Sequence, residues 1–121
     1  MTTKRGKKIS GGKYHKRRKR KLAEKPGQEQ LCQLGETKKK TIRVRGGNKK
    51  VILLSTNLAN LIVKGKAKKV KIKTVAETPS NRFLARQNVL IKGAIIETEA
   101  GRAKITNRPS QEGSVQAILV D

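Results

Sequence analysis

From Thr41 onward, apolar and polar side chains alternate with a period close to two. That is the spacing of β-strands, whose successive side chains point to opposite faces. Thr41-Ile42-Arg43-Val44-Arg45 alternates, breaks at Gly46-Gly47-Asn48 and restarts as Lys49-Lys50-Val51-Ile52-Leu53, which predicts a β-hairpin. A two-residue loop at Gly47-Asn48 would set Arg45 against Lys50, Val44 against Val51 and Ile42 against Leu53. One face would then be apolar and the other cationic near the turn. Leu58 to Val63, bounded by Asn57 and Gly65, predicts another strand. Lys69 to Val75 places Lys69, Lys71 and Lys73 on one face and Val70, Ile72 and Thr74 on the other. This predicts a half-buried strand with a cationic outer face, whose lysines also discourage edge-to-edge pairing.

The period breaks at Asn81-Arg82-Phe83-Leu84-Ala85-Arg86-Gln87. A helix of one or two turns is predicted there, with Ser80 as N-cap and Phe83 or Leu84 pinning it to the core. Two strands then flank a bend at Gly93, at 88–92 and 94–99. A two-residue loop at Ala100-Gly101 would pair Glu99 with Arg102, Glu97 with Lys104 and Ile96 with Ile105, so that this second hairpin neutralises its own charge. A loop at 109–113 and a last strand at 115–120 close the chain. Six or seven short strands with tight turns predict a mainly β fold, a small β-barrel-like domain with one or two short helices.

Apolar content and charge divide the chain. Residues 1–40 hold four Leu, Ile, Val or Phe residues (Ile9, Leu22, Leu31, Leu34) and residues 41–121 hold 25. The first part cannot bury enough surface to offset about 1–2 kcal/mol of backbone entropy per ordered residue. The formal net charge is +23, falling from +11 over residues 1–25 to +1 over residues 76–121. The reading is therefore a long basic N-terminal extension at 1–25, a linker at 26–40 that begins Pro26-Gly27 and whose Leu31-Cys32-Gln33-Leu34 could dock on the domain, and a β domain at 41–121. Such a charge destabilises the compact state unless a polyanion balances it, and it points to a nucleic acid.

Little else in the sequence carries chemistry. Cys32 is the only cysteine, so it forms no internal disulfide and no cysteine-based zinc site. The sole histidine, His15, lies among cations without a carboxylate partner, which disfavours a role as catalytic base. The acids are too dispersed for a hard-metal site. Gly46-Gly47-Asn48-Lys49-Lys50 lacks the spacing of a nucleotide-binding phosphate loop. No apolar run is long enough for a secretory signal or a bilayer span. The expectation is a soluble intracellular protein that is not an enzyme, with no cofactor, metal or small-molecule substrate and no membrane partner.

Two aromatic residues in the whole chain, Tyr14 and Phe83, are too few for a reader that stacks many bases on a sheet. What remains is recognition of phosphates by cations. The candidate RNA-binding residues in the extension are Lys4, Arg5, Lys7, Lys8, Ser10, Gly11, Gly12, Lys13, Tyr14, His15, Lys16, Arg17, Arg18, Lys19, Arg20 and Lys21. In the first hairpin they are Arg43, Arg45, Gly46, Gly47, Asn48, Lys49 and Lys50. Ser10-Gly11-Gly12-Lys13 can bend sharply and present backbone N–H groups to a phosphate. The six cations Lys16 to Lys21 repel one another and should order only along phosphates.

Ser10-Gly11-Gly12-Lys13, the Lys16–Lys21 run, Leu34-Gly35 and, above all, Arg43-Val44-Arg45-Gly46-Gly47-Asn48-Lys49-Lys50 closely resemble the archaeal and eukaryotic ribosomal small-subunit protein eight-e family. The resemblance continues through Lys92-Gly93-Ala94-Ile95-Ile96-Glu97-Thr98 to the C-terminus, and the short length resembles archaeal members. It implies a structural constituent of the cytoplasmic small ribosomal subunit, with small-subunit ribosomal RNA and neighbouring ribosomal proteins as partners. It also implies a β-barrel-like body and an RNA-penetrating N-terminal extension. Its expected RNA contacts are the Ser10–Lys13 turn, the Lys16–Lys21 run and the Arg43–Lys50 hairpin. The rival reading of the same charge is a DNA-compacting architectural or chromatin protein.

Overall fold

The computed structural model describes residues 6–15 and 18–120. Nine strands and one short helix follow in chain order: β1 (Cys32–Leu34), β2 (Lys38–Arg43), β3 (Lys49–Thr56), β4 (Leu58–Val63), β5 (Lys66–Glu77), α1 (Arg82–Arg86), β6 (Val89–Leu90), β7 (Ile95–Thr98), β8 (Gly101–Ile105) and β9 (Gln116–Leu119). Single 3-10 turns form at Leu22–Glu24 and Arg45–Gly47. The strands make two sheets. One is a closed barrel in the order β4-β5-β7-β8-β9, sealed by a parallel β4–β9 contact. The other runs β2-β3-β1-β6, with β1 parallel to β3 and antiparallel to β6. Closing the barrel removes the exposed edges that so short a sheet would otherwise present.

One core serves both sheets. Ala59, Leu61, Ile72, Val75, Ile96, Ala103, Ile105 and Ala117 point in from the barrel, and Cys32, Leu53 and Leu90 join them from the second sheet. The core is aliphatic, because both aromatic side chains lie outside it. On β5 the expected alternation holds, with Lys69, Lys71 and Lys73 exposed, Ile72 buried and Val70 and Thr74 half-buried. Gly93 makes the expected bend with φ of +84°.

Several local expectations are corrected. The span 26–40, read as a linker, supplies β1 and the start of β2, and Cys32 is fully buried. The first hairpin has a five-residue loop, Val44 to Asn48, closed by the Val44 N–H donating to the Asn48 carbonyl at 2.8 Å. Thr41 faces Val51, Ile42 faces Lys50 and Arg43 faces Lys49. Gly46 and Gly47 both hold positive φ (+84° and +80°), which widens the loop and replaces the two-residue turn expected there. The register therefore differs by three, and the clean split into an apolar and a cationic face is lost. In the second hairpin the turn is Glu99-Ala100, so Glu97 faces Arg102 and Ile96 faces Ala103. Thr98 fixes that turn, its Oγ1 accepting from the Ala100 N–H at 3.2 Å and donating to the Gly101 carbonyl at 2.8 Å. Asn81, not Ser80, caps α1, with its Oδ1 accepting from the Phe83 N–H at 3.0 Å. Phe83 is exposed rather than a core anchor, while Ala85 packs against the core.

Asn88 joins the two sheets. Its backbone lies in the left-handed region (φ +51°), uncommon for a residue with a side chain but tolerated by asparagine. Its Oδ1 accepts from the Val75 N–H and the Thr74 hydroxyl of β5, both at 3.2 Å. Its carbonyl accepts from the Leu34 N–H of β1 at 3.0 Å, and its own N–H donates to the Ala85 carbonyl at 3.0 Å. Asn88→Ala should lower stability by about 2–4 kcal/mol, from two lost side-chain bonds and worse backbone strain. Asn88→Gly should cost less, since glycine tolerates the φ. Denaturant unfolding of both variants measures the difference.

Burial pushes the Cys32 thiol up to about 11, because desolvation disfavours the thiolate. The folded value thus lies above that of the unfolded thiol, about 8.5. The contribution to stability is complete below about pH 8.5 and is lost as pH rises toward 11. Stability should therefore fall more steeply over that interval in the wild type than in Cys32→Ala. At pH 8 the folded protein should resist thiol alkylation and react only on unfolding.

Candidate nucleic-acid interface

The cationic residues named from the sequence fall into two regions. In the first, Lys7, Lys8, Ser10, Gly11, Gly12, Lys13, Tyr14, His15, Arg18, Lys19, Arg20 and Lys21 are all exposed, as is every described residue through Leu31. Lys4, Arg5, Lys16 and Arg17 lie outside the described residues. The predicted bend starts two residues early. The Gly11 N–H donates to the Lys8 carbonyl and the Lys8 N–H to the Gly12 carbonyl, each at 2.9 Å, so Ile9 and Ser10 form the tip. The Lys8 ammonium sits 5.7 Å from the centre of the Tyr14 ring, within cation–π range.

Arg18 behaves differently from Lys19 and Arg20, which follow it in the run. Its guanidinium holds the Glu24 carboxylate at 2.6 and 3.1 Å, and the Lys21 N–H donates to the same carboxylate at 3.1 Å. The Arg18 contact first, and the Lys21 N–H second, keep the Glu24 carboxyl below the usual carboxylate range. One arginine of the polybasic run is thus engaged within the chain and shapes the 3-10 turn at Leu22–Glu24.

The second region is the β2–β3 hairpin. Arg43, Arg45, Gly46, Gly47, Asn48 and Lys49 are exposed and Lys50 is half-buried, its ammonium donating to Gln111 Oε1 at 2.5 Å. Arg43 and Lys49 face each other directly across the strands. Like charges so placed destabilise a sheet, and no ion pair involving either residue forms among the described residues. A Cβ on Gly47 would meet no atom within 4 Å, and one on Gly46 would meet only Asn48 Nδ2 at 4.0 Å. The glycines are therefore set by backbone conformation, and the space outside them is open to a close-approaching ligand.

Sequence reasoning left Lys38, Lys39 and Lys40 out of this surface. All three are exposed on β2 and lead directly into Arg43. Lys39 also lines a cleft between the sheets together with Thr37, Asn60, Lys69 and Ser114. The triple lysine ahead of Thr41 was the available signal. The β7–β8 hairpin has the opposite character, since Arg102 approaches Glu97 to 4.0 Å across the strands. Among the described residues no cluster of three or more metal-ligating side chains forms, and no helix is long and apolar enough to cross a membrane.

Comparison with known proteins matches the chain to one family. A family model described as ribosomal protein S8e covers residues 2–120. The chain is 44% identical over 119 residues to the small ribosomal subunit protein eS8 of Methanococcus aeolicus, spanning 94% of this chain and 91% of that one. It is 45% identical over 116 residues to the protein of the same name from Methanocorpusculum labreanum, spanning 94% and 93%. With the Pyrobaculum aerophilum protein of that name the identity is 43% over 119 residues, spanning 95% and 91%.

The opposed Arg43 and Lys49 give a direct test of the electrostatics of the unbound body. Lys49→Glu replaces a like-charge pair with an attractive one and should stabilise the free protein by about 0.2–1 kcal/mol at low salt. The gain should shrink as salt is added. Thermal unfolding of variant and wild type at two ionic strengths measures both effects.

Proposed function

The chain belongs to the ribosomal protein S8e family, and we propose that it is a structural constituent of the small ribosomal subunit that binds ribosomal RNA at two places. The first is the basic N-terminal segment. The second is the β2–β3 hairpin, through Arg43, Arg45, Gly46, Gly47, Asn48, Lys49 and Lys50. Neighbouring ribosomal proteins are its further partners. The observation that carries the hairpin assignment is the Arg43–Lys49 opposition. Two cations are held face to face on an exposed turn with no ion pair of their own among the described residues, an arrangement that a bound polyanion turns from a cost into a gain.

In this reading Arg43 and Arg45 grip phosphates, and the left-handed Gly46 and Gly47 let the backbone come close to the RNA. The extension runs along the RNA as a series of cations, with the Lys8–Gly12 turn presenting backbone donors. Recognition depends on phosphate geometry and RNA shape more than on base identity. No bond is made or broken in this role.

Arg43→Ala/Arg45→Ala should weaken binding to small-subunit ribosomal RNA about equally across sequences and reduce the slope of log affinity against log salt by about 2, one for each lost phosphate contact. Filter binding across a salt series, with duplex DNA as competitor, measures this. Equal affinity for duplex DNA would favour the DNA-compacting reading instead. An unchanged affinity and slope in the double variant would remove the hairpin from the interface.

A further inference from the structure

The last third of the chain is almost neutral, yet it carries one concentrated cationic site. Residues 76–121 have a net charge of +1, and two of their cations, Arg82 and Arg86, stand four residues apart on the single helix α1. At that spacing they share a helix face, and like charges there are destabilising. Neither forms an ion pair among the described residues. Between them lies Phe83, the only phenylalanine of the chain, with 62% of its surface exposed. The helix packs on β5 and β6, and Ala85 rather than Phe83 meets the core. The Arg86 guanidinium sits 6.0 Å from the centre of the Phe83 ring.

Arg82 and Arg86 also line a cleft with Val75, Glu77, Thr78 and Ala85, a lining to which Phe83 does not belong. Thr78 is 3% exposed, and its Oγ1 has no hydrogen-bond partner among the described residues. A buried hydroxyl left unpaired is costly, and Thr78 shares the lining of the cleft with the two arginines. Glu77, the one acid of the lining, is outnumbered by these arginines.

We propose that Phe83, Arg82 and Arg86 form a second RNA contact on the body, which takes an unpaired nucleotide. The base stacks on the exposed ring of Phe83, and the arginines hold the flanking phosphates. This rests on the RNA-binding reading above but uses different residues and a different mode. The hairpin recognises charge and shape alone, whereas this site needs a base that has left its helix. An exposed aromatic flanked by arginines is the combination by which proteins hold unstacked bases. The paired cations favour a nucleotide over an apolar protein partner as the cover for Phe83.

The chain contains no tryptophan, so Phe83→Trp places a single indole reporter at the site in the intact protein. Single-stranded oligoadenylate at low salt should quench that indole about twofold or more, and an RNA duplex of equal length should leave it unchanged. Phe83→Ala should weaken binding to small-subunit ribosomal RNA about tenfold with an unchanged salt slope, because stacking releases no counterions. Arg82→Ala/Arg86→Ala should instead lower the slope by about 2. Since Phe83 lies outside the core, its alanine variant should keep the wild-type unfolding midpoint. The inference is overturned if both Phe83 variants leave affinity and emission unchanged while Arg43→Ala/Arg45→Ala still weakens binding; the RNA-binding reading then stands. It is also overturned if the indole responds only in assembled subunits and never to naked RNA, which would assign Phe83 to a protein neighbour. If the wild type binds duplex DNA as well as it binds small-subunit RNA, both readings fail together.

Discussion

The two sheets of this fold meet at Asn88. Its side chain accepts two hydrogen bonds from β5 of the barrel, and its carbonyl accepts one from β1 of the second sheet. Both β1 and β6 are very short, three and two residues, and strands of that length do not hold a sheet by their own ladder. They stay in place because Cys32 and Leu90 enter the barrel core and because Asn88 fixes the chain where α1 ends and β6 begins. A residue in the left-handed region at this joint is strained, and the strain persists because three partners on two sheets hold it. The placement of β1, and through β3 the placement of the cationic hairpin, follows from this joint.

The core has to stabilise a body that repels itself. Only two ion pairs form among the described residues. The one on the body, Glu97 to Arg102, spans 4.0 Å between largely exposed side chains, so it adds little. Aliphatic burial supplies nearly all the favourable free energy, and the tight alternation on β5 keeps three lysines in water while Ile72 is buried. The fold thus tolerates unpaired cations at its surface instead of neutralising them, which is the state that a polyanionic partner completes.

The elements were more legible than their registers. Period-two alternation located β4, β5 and β7 and the strands of both hairpins, because a half-buried strand writes its burial directly into the sequence. Register depends on turn geometry, which the pattern does not encode. Two successive left-handed glycines widened the first loop, and the Thr98 hydroxyl moved the second turn by one residue. The strand β1 was visible only as a short docking segment, since its partners are 22 residues away in β3 and 56 or more in β6. The Arg18–Glu24 pair was likewise hidden, because it spans six residues through irregular backbone. The family was legible from Arg43-Val44-Arg45-Gly46-Gly47-Asn48-Lys49-Lys50, whereas the exposure of Phe83 was not, because a phenylalanine in a short amphipathic segment reads as a core anchor.

The two hairpins differ in whether their opposed charges are compensated within the protein. Both are antiparallel and both carry charged residues opposite one another across the strands. In β7–β8 the opposed residues are Glu97 and Arg102, and the pair is complete within the protein. In β2–β3 they are Arg43 and Lys49, and the pair is repulsive until something negative sits between or above them. The wide glycine loop strengthens this contrast, since it exposes Arg45 and Asn48 beside space that, among the described residues, only the Asn48 side chain approaches. Were these cations only aids to solubility, a carboxylate opposite Arg43 would serve as well and would stabilise the sheet. Like charges held face to face are therefore a standing cost to the free protein, one that a negative group placed between them would remove.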